Sequence, residues 1–281
     1  MKRPSKPLLY VTFILVVLAS AAVIWILANN NTSEVTQVGK QKSSSEPTKP
    51  SEPSKIPTGT PEITKTPEAT KTPEASNDTK GPTLTYIGHA SVKLKSSDGK
   101  VIYIDPYYSE DGYEEPADFI LVTHIHDDHN QISKCKQNKD CQIIKWSDAL
   151  VDKEYKTFDF DNIKIEAVPS GGNGNHYVWT CVGFIVTIDG VSVYHAGDMS
   201  MNDDLKKIVG KKIDYAMYPV DGTYNMGPEE ATEVADMIGA THNIPIHGNG
   251  KLSKLQFAMF KAKGKMVLDF GQTITLTNEG K

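Results

Sequence analysis

The chain has 281 residues, enough for one or two domains, and its 30 basic and 35 acidic residues give a formal net charge of −5. Residues 83–281 alone hold 20 lysines and 28 acidic residues, a net charge of −8. A mildly acidic domain does not attract polyphosphates, so we expect no nucleic-acid partner.

Residues 1–28 have the pattern of a membrane anchor. Lys2, Arg3 and Lys6 precede an uncharged apolar run of 21 residues from Leu8 to Ala28. About 20 apolar residues span a bilayer as a helix, whereas a signal-peptide core has about 7–15. The preceding basic residues predict that the rest of the chain faces the outside. The alternative is a signal segment cleaved near Ile26–Asn30, which would release a secreted protein.

Residues 29–82 are rich in Thr, Pro, Glu, Lys and Ser, and the hexapeptide TKTPEA occurs twice, at Thr64–Ala69 and Thr70–Ala75. Such a segment lacks the large apolar side chains needed to offset the entropy of folding. We expect a disordered tether that holds a folded domain away from the membrane, in the proximity of a cell wall.

Residues 83–281 are predicted to form one folded α/β domain. Short β-rich runs fill the first part and helices alternate with strands later, which indicates sheets layered between helices. The predicted strands are LTYIGHASVKLKS, VIYIDP, FILVTH, IKIEAV, VGFIVTI, VSVYHAG, YAMYPV, HNIPIHG and KMVLDF. The predicted helices are PEEATEVADMIGA, which has Pro228 in its first turn, and LSKLQFAMFKAKG.

The stretch LVTHIHDDHN, Leu121–Asn130, places four metal-binding side chains directly behind an apolar strand. His124 and His126 are two residues apart, so an extended backbone presents both imidazoles to one metal ion. Asp128 and His129 lie past the turn and can face a neighbouring ion. Imidazole and carboxylate ligands suit Zn²⁺, with Mn²⁺ or Fe²⁺ as alternatives.

Two sites need further ligands from elsewhere in the chain. His176 lies in a Gly/Asn-rich loop, and Asp198 and His247 each follow a predicted strand next to a glycine. Catalytic groups and ligands concentrate in such loops at strand ends. These three residues complete a consistent ligand set with the His124–His129 cluster.

The H-x-H-x-D-H pattern at His124–His129, followed by His176, Asp198 and His247, resembles the metallo-β-lactamase superfamily. YIGHAS at Tyr86–Ser91, VYHAGD at Val193–Asp198 and GTYNMGPEEA at Gly222–Ala231 are similar to the branch of ascorbate-6-phosphate lactonase. The resemblance covers Thr83–Lys281 and implies an αββα sandwich with metal ions at one edge between the sheets.

The resemblance also implies roles for individual residues. The first metal ion would be bound by His124, His126 and His176, and the second by Asp128, His129 and His247. Asp198 would bridge the two ions, Asp105 would support the histidine loop from behind, and His89 would lie near the metals, facing substrate or supporting a ligand. His195 is either an ordinary core histidine or a functional one.

The implied chemistry is hydrolysis by a water activated between two cations. Asp198, Asp128 and His89 are the candidate catalytic side chains, and the substrate would be a small molecule carrying a lactone, ester or phosphodiester. Relatives of this branch are mostly cytosolic, so an external location predicts a different substrate. The alternative function is a metal-holding sensor or binding module on the cell surface that has no turnover.

The chain departs from the resembled pattern at two points of the site. The segment before His176 is short and rich in glycine, and Met199 and Ser200 follow Asp198 where relatives often have Thr.

The chain has three cysteines, Cys135, Cys141 and Cys181. Outside the cytoplasm, the spacing of Cys135 and Cys141 permits a small disulfide, which would leave Cys181 unpaired. Three reduced thiols are the alternative.

Overall fold

The computed structural model describes residues 81–278. The membrane anchor predicted at 1–28 and nearly all of the linker predicted at 29–82 lie outside the described residues. Within 81–278, none of the helices combines the length and the apolar character that crossing a membrane requires.

The first sheet has six strands: β1 (Thr83–Gly88), β2 (Ser91–Lys95), β3 (Val101–Ile104), β4 (Ala117–Val122), β5 (Gln137–Lys145) and β14 (Gln272–Thr275). Their spatial order is β14-β1-β2-β3-β4-β5. β14, β1, β2 and β3 pair antiparallel, whereas β3, β4 and β5 are parallel. The carboxyl ends of β3 and β4 therefore meet at one edge.

The second sheet also has six strands: β8 (Thr157–Phe160), β9 (Ile163–Pro169), β10 (Val182–Ile188), β11 (Val191–His195), β12 (Tyr215–Pro219) and β13 (His242–Ile246). Their order is β13-β12-β11-β10-β9-β8, with β11, β12 and β13 parallel. A two-stranded ribbon, β6 (Leu150–Val151) and β7 (Glu154–Tyr155), completes the strands of the described region.

The α-helices of the described residues are α1 (Trp146–Ala149), α2 (Pro228–Ile238) and α3 (Ser253–Met259). α2 begins with Pro228, Glu229 and Glu230 in its first turn, where a missing amide hydrogen is tolerated and acidic side chains are favoured. It ends at Gly239, whose φ of 74° is the left-handed conformation common at helix C-termini.

A continuous core joins the inner faces of the two sheets. Leu94 and Ile102 of the first sheet and Phe184 and Val193 of the second are fully buried members of one apolar cluster. Each such side chain contributes about 1.5–3 kcal/mol through burial. A second cluster, containing Ile120 and Val122, covers the opposite face of the first sheet. β4 is thus buried on both faces, which explains its unbroken apolar sequence FILV.

The strand predicted for KMVLDF is wrong. In this segment only Lys265 pairs, through an isolated bridge to Asn243, and the edge strand lies further on, at Gln272–Thr275. The second predicted helix, LSKLQFAMFKAKG, is shorter than predicted: the observed helix spans Ser253–Met259. Cys135, Cys141 and Cys181 are free thiols in the structure.

Candidate metal centre

The site is assembled from turns at the carboxyl ends of strands and from the turn between β1 and β2. Asp105 follows β3, His124 follows β4, His247 follows β13, and Asp198 lies in the turn after β11. The loop after β9 carries His176, and the β1–β2 turn carries His89. The structure brings all seven predicted metal ligands together, and both sheets contribute to the set.

Three imidazoles from two loops converge on one point. The Nδ1 atom of His126 lies 3.0 Å from Nε2 of His124 and 3.2 Å from Nε2 of His176. A neutral imidazole has one donor and one acceptor nitrogen, so one His126 nitrogen cannot satisfy two others well by hydrogen bonds. Three nitrogens that face each other at this distance fit a cation better, and these are donors that Zn²⁺ prefers.

A second group of donors lies beside the first and consists of His89, Asp128, His129 and His247. Nε2 of His89 is 3.2 Å from an Oδ2 atom of Asp128, and the rings of His89 and His247 have centroids 3.7 Å apart. Burial lowers the pKa of His89, which favours its neutral form, although its hydrogen bond to Asp128 opposes this effect. His89 thus lies among the expected ligands of the second ion.

Asp198 lies between the two groups. Its Oδ1 atom is 3.3 Å from Nε2 of His129 and 3.4 Å from Nε2 of His247, and its Oδ2 atom is 3.3 Å from Nε2 of His176. Burial by itself would raise the pKa of Asp198, but His129 and His247 outweigh it and hold the pKa well below its usual range. The carboxylate therefore remains ionised and faces both groups.

Three of the donor atoms lack hydrogen-bond partners among the described residues. Oδ1 of Asp198 and the Nε2 atoms of His129 and His247 are buried and unpaired. A buried polar atom without a partner costs about 1–3 kcal/mol. Cations between these atoms would remove that cost, so the residues present fit a two-ion centre.

The opposite nitrogens of His129 and His124 are fixed by neighbours. Nδ1 of His129 donates to Asp105 over 2.7 Å, and Asp105 in turn accepts from the backbone amide and hydroxyl of Thr123. The Thr123 hydroxyl also lies 3.1 Å from Nδ1 of His124. Because Nδ1 carries the proton, the Nε2 lone pair of each ring points into the centre. Asp105 therefore has the supporting position that the resemblance implies.

Asp221 contacts the opposite side of His247 as an ion pair, with 3.2 Å between Oδ2 of Asp221 and Nδ1 of His247. Sequence reasoning missed this residue. The available signal was its position two residues after β12, in YPVDG, which parallels Asp105 after β3 in YID. Asp221 also accepts from the amides of Thr223 and Tyr224, so it anchors the loop that forms one wall of the cavity.

Three non-glycine residues at the site adopt left-handed backbone angles: His89 has φ 54°, Asp105 has φ 49° and His247 has φ 50°. Such angles are unfavourable for L-residues and occur preferentially where a side chain must be re-aimed. The amide of His247 donates to the carbonyl of His89 over 2.8 Å, which ties the first sheet to the second at this point.

Gly171 and Gly172 shape the loop that carries His176. Both have positive φ, and the amide of Gly172 donates to the carbonyl of His176 over 2.7 Å. A Cβ atom on Gly171 would lie 2.7 Å from that same carbonyl oxygen. The glycine-rich sequence thus allows a tight turn that places His176 next to Asp198.

A cavity of about 280 Å³ opens over the donor atoms and is lined by His126, Asp128, Asn175, His176, Asp198, Tyr224 and His247. No lysine is among the lining residues, and the described part of the chain contains no arginine at all. Positive charge for a substrate can therefore come only from bound metal or from protonated histidine.

His195 has a structural role. Its Nε2 atom donates to the carbonyl of Ala90 over 2.8 Å, and its Nδ1 atom accepts from the amide of Gly197 over 3.2 Å. Both nitrogens are thus used inside the core. The functional alternative for this histidine is not supported.

Comparisons with known proteins agree with this geometry. Residues 83–247 match the model of the Beta-lactamase superfamily domain. A UPF0173 metal-dependent hydrolase from Methanoculleus marisnigri is 34% identical over 181 residues, which cover 58% of this chain and 80% of the relative. A second UPF0173 metal-dependent hydrolase, from Pyrococcus furiosus, is 30% identical over 59% of this chain and 84% of its own length.

Solved structures are similar to the same part of the chain. A protein from Parabacteroides distasonis, assigned as a metal-dependent hydrolase, is 29% identical with a TM-score of 0.55 over 66% of this chain and 90% of its own. The metallo hydrolase Igni18 from Ignicoccus hospitalis shares the fold, with 23% identity and a TM-score of 0.55 over 70% of this chain and 99% of its own. The chain belongs to the metallo-β-lactamase superfamily and, within it, to the UPF0173 family of metal-dependent hydrolases.

Proposed function

We propose that the chain is an extracytoplasmic hydrolase that uses two divalent metal ions, with Zn²⁺ as the expected species, to cleave a small lactone, ester or phosphodiester. The observation that carries the proposal is the position of Asp198, which faces two adjacent groups of nitrogen and oxygen donors. His124, His126 and His176 would bind one ion, and Asp128, His129 and His247 the other, with Asp198 between them.

When bound, the ions supply Lewis acidity that activates water and polarises a carbonyl or phosphoryl group. The protein residues supply the orientation. Asp105, Thr123 and Asp221 keep the Nε2 lone pairs of their histidines directed inward. Asp198 stays ionised and can accept a proton from water, while His89, at 3.2 Å from Asp128, orients that carboxylate.

The cavity favours an uncharged substrate within this group. A phosphodiester or other anion would find no lysine or arginine on the lining, whereas a lactone or ester needs none. Tyr224 lines the cavity and is 61% exposed, so it offers an aromatic surface to the part of the substrate that does not react. A neutral lactone is therefore the first substrate class to test, in contrast to the phosphorylated lactone for which the resembled branch is named.

The proposed location depends on the apolar run Leu8–Ala28, which lies outside the described residues. An uncleaved helix with basic residues on its N-terminal side would place the catalytic domain outside the cell membrane, near a cell wall, and cleavage would instead secrete it. Protease accessibility of the domain in intact cells, compared with lysed cells, tests the external location.

The domain can be tested without its N-terminal region. Its apolar core closes within the described residues, and the solved relatives that match it consist almost entirely of this part. Residues 81–281 should therefore hydrolyse at least one neutral lactone or ester after zinc loading and lose that activity with chelator. Asp128→Ala should lower kcat/KM by at least about 100-fold, as expected when a catalytic metal is lost.

Asp127→Ala is the matched control, because Asp127 is the adjacent carboxylate but is exposed and belongs to neither donor group. Equal losses from both variants would contradict the proposal. Two bound ions without turnover of lactones, esters and phosphodiesters would favour the alternative, a metal-holding sensor or binding module.

A further inference from the structure

Five of the fourteen exposed large apolar side chains of the described residues fall within one stretch of the chain, after His247. Leu252, Leu255, Met259, Val267 and Phe270 are between 39% and 58% exposed, although they lie within 19 residues of one another. Val267 and Phe270 line a groove of about 670 Å³ between α3 and residues 265–270. Leu252, Leu255 and Met259 belong to α3 and the short 3-10 helix Gly250–Leu252, which form its other wall. Exposed apolar groups that cluster in this way mark an interaction surface.

The same segment is strongly basic. Residues 250–270 contain five lysines, Lys251, Lys254, Lys261, Lys263 and Lys265, and one acidic residue, Asp269, which also lines the groove, so their net charge is +4. The rest of residues 83–281 has 15 lysines and 27 acidic residues, a net charge of −12. The basic segment is therefore an exception on an acidic domain.

The lysines of this segment are not engaged by acidic partners. None of the five forms an ion pair with a described residue, whereas Lys93, Lys134 and Lys156 each contact a glutamate. Lys251, Lys254 and Lys265 line the groove itself. Partial burial and, to a smaller extent, the nearby Lys261 lower the pKa of Lys265.

We propose that this lysine-rimmed groove, lined by Lys251, Lys254, Phe257, Lys265, Val267 and Phe270, docks the domain on a bilayer that contains anionic lipid. Apolar side chains such as Leu255 would enter the boundary between headgroups and acyl chains, and the lysines would contact lipid phosphates. Such a bilayer would contact both the apolar side chains and the lysines of this surface.

Other occupants explain the surface less well. A second copy of the chain would bring two sets of unpaired lysines together, which costs energy through repulsion. The chain's own apolar run Leu8–Ala28 contains no acidic residue to pair with them. An anionic bilayer complements both the charge and the apolar character.

The groove is structurally connected to the metal centre. The Phe270 ring packs against Tyr86 and Tyr108, with centroids 5.7 and 5.0 Å apart, and the Tyr86 hydroxyl donates to the carbonyl of His89 over 3.0 Å. The short 3-10 helix Gly250–Leu252 at the groove begins three residues after His247. A docked domain would thus hold its site close to the membrane surface.

The test is co-sedimentation of residues 81–281 with vesicles, because the full chain would also bind through its N-terminal run. Vesicles of phosphatidylcholine alone are compared with vesicles that contain phosphatidylglycerol at low and high salt. We expect binding only to the anionic vesicles. Lys251→Glu/Lys254→Glu/Lys265→Glu should weaken it by about 100-fold or more, given the contribution of each lysine near an anionic surface.

The control is Lys136→Glu/Lys139→Glu/Lys153→Glu, which makes the same charge change at exposed lysines outside any ion pair. It should retain most of the binding, and Leu252→Ser/Leu255→Ser should lose most of it while keeping the wild-type circular dichroism spectrum. Absence of binding, equal loss in both lysine triples, or an unaffected leucine variant would overturn the proposal. A dimer that the leucine substitutions dissociate would also overturn it, since a second copy would then occupy the groove.

Discussion

Three buried histidines of the metal centre, His124, His129 and His247, have one nitrogen directed inward and the other next to a neighbouring side chain. For His247 that neighbour is Asp221, at 3.2 Å. The carboxylate also receives the backbone amides of its own loop, so ligand orientation and loop conformation depend on the same two oxygens. Asp221 is not a predicted metal ligand, yet a substitution of Asp221 should therefore change the affinity for a metal ion.

We predict that Asp221→Asn weakens binding of one ion by about 10–100-fold, the usual effect of losing such a supporting carboxylate. Asparagine keeps an oxygen for the loop amides but cannot hold the Nδ1 proton of His247 equally well. Competition with a fluorescent zinc chelator measures the affinity. Asp214→Asn is the control, because Asp214 is equally buried but accepts from the backbone of Ser192; an equal loss there would show a general effect of folding.

A substitution in one donor group should remove the ion of that group and leave the other ion bound. Asp128→Ala should reduce the wild type's expected two ions to about one, and His126→Ala should do the same at the other group. Asp198→Ala should impair both, because two cations would repel each other without the anion between them. Elemental analysis after zinc supplementation is the measurement. Fewer than one ion in the wild type, or unchanged content in all three variants, would disprove a two-ion centre.

The sequence predicted the metal-binding residues of this centre better than the residues that hold them in place. His124–His129 lie within six residues, so their proximity does not depend on the fold. His176, Asp198 and His247 were found because each belongs to a loop next to glycine, and the resemblance connected them. Asp221 escaped notice because its carboxylate becomes significant only when β12 and β13 lie side by side, which is a tertiary feature.

At the scale of elements, the loop Gly171–His176 shows how a turn positions a ligand. Gly171 has φ 73°, and its Cα hydrogen faces the carbonyl of His176 where a Cβ atom would approach to 2.7 Å. The backbone amide of Gly171 also donates to the carbonyl of Asp198 over 3.1 Å. Widening this turn would move His176 away from both His126 and Asp198.

We predict that Gly171→Ala reduces bound zinc by about one ion and lowers the melting temperature, as overpacking commonly costs about 1–3 kcal/mol. Gly190→Ala is a matched control. Gly190 has a similar φ of 77°, yet an added Cβ would have no atom within 4 Å. It should share the backbone strain but retain its metal. Metal loss in both variants, or in neither, would show that the contact with His176 is not decisive.

The strands that the sequence patterns identified are the buried, apolar ones. β4 and β10 are buried on nearly all positions and read as continuous apolar runs. β5 and β8 were missed because they are edge strands with charged or alternating sequences, QNKDCQIIK and TFDF, which protect a sheet edge from pairing. KMVLDF was misassigned because its apolar side chains line a surface groove and do not pair in a sheet.

For the whole molecule, the metal centre is a junction between the two sheets. His124, His126, Asp128 and His129 follow β4 in the first sheet, whereas His176, Asp198 and His247 follow strands of the second. Among the direct links near the site is the hydrogen bond from His247 to His89. Ions bound by ligands from both sheets would cross-link them and should therefore stabilise the domain as a unit.

This arrangement leads to a prediction for thermal stability. One ion at about 1,000 times its dissociation constant stabilises the folded state by about 4 kcal/mol, and a domain of this size gains about 2–4 °C for each kcal/mol. Chelation of zinc-loaded residues 81–281 should thus lower the melting temperature by at least about 8 °C for each ion removed. Chelator already saturated with zinc is the control for non-specific effects, and Asp198→Ala should respond much less than the wild type. An identical melting temperature with and without chelator would mean that no ion connects the sheets, because ligands drawn from both would necessarily transmit its loss to the global unfolding transition.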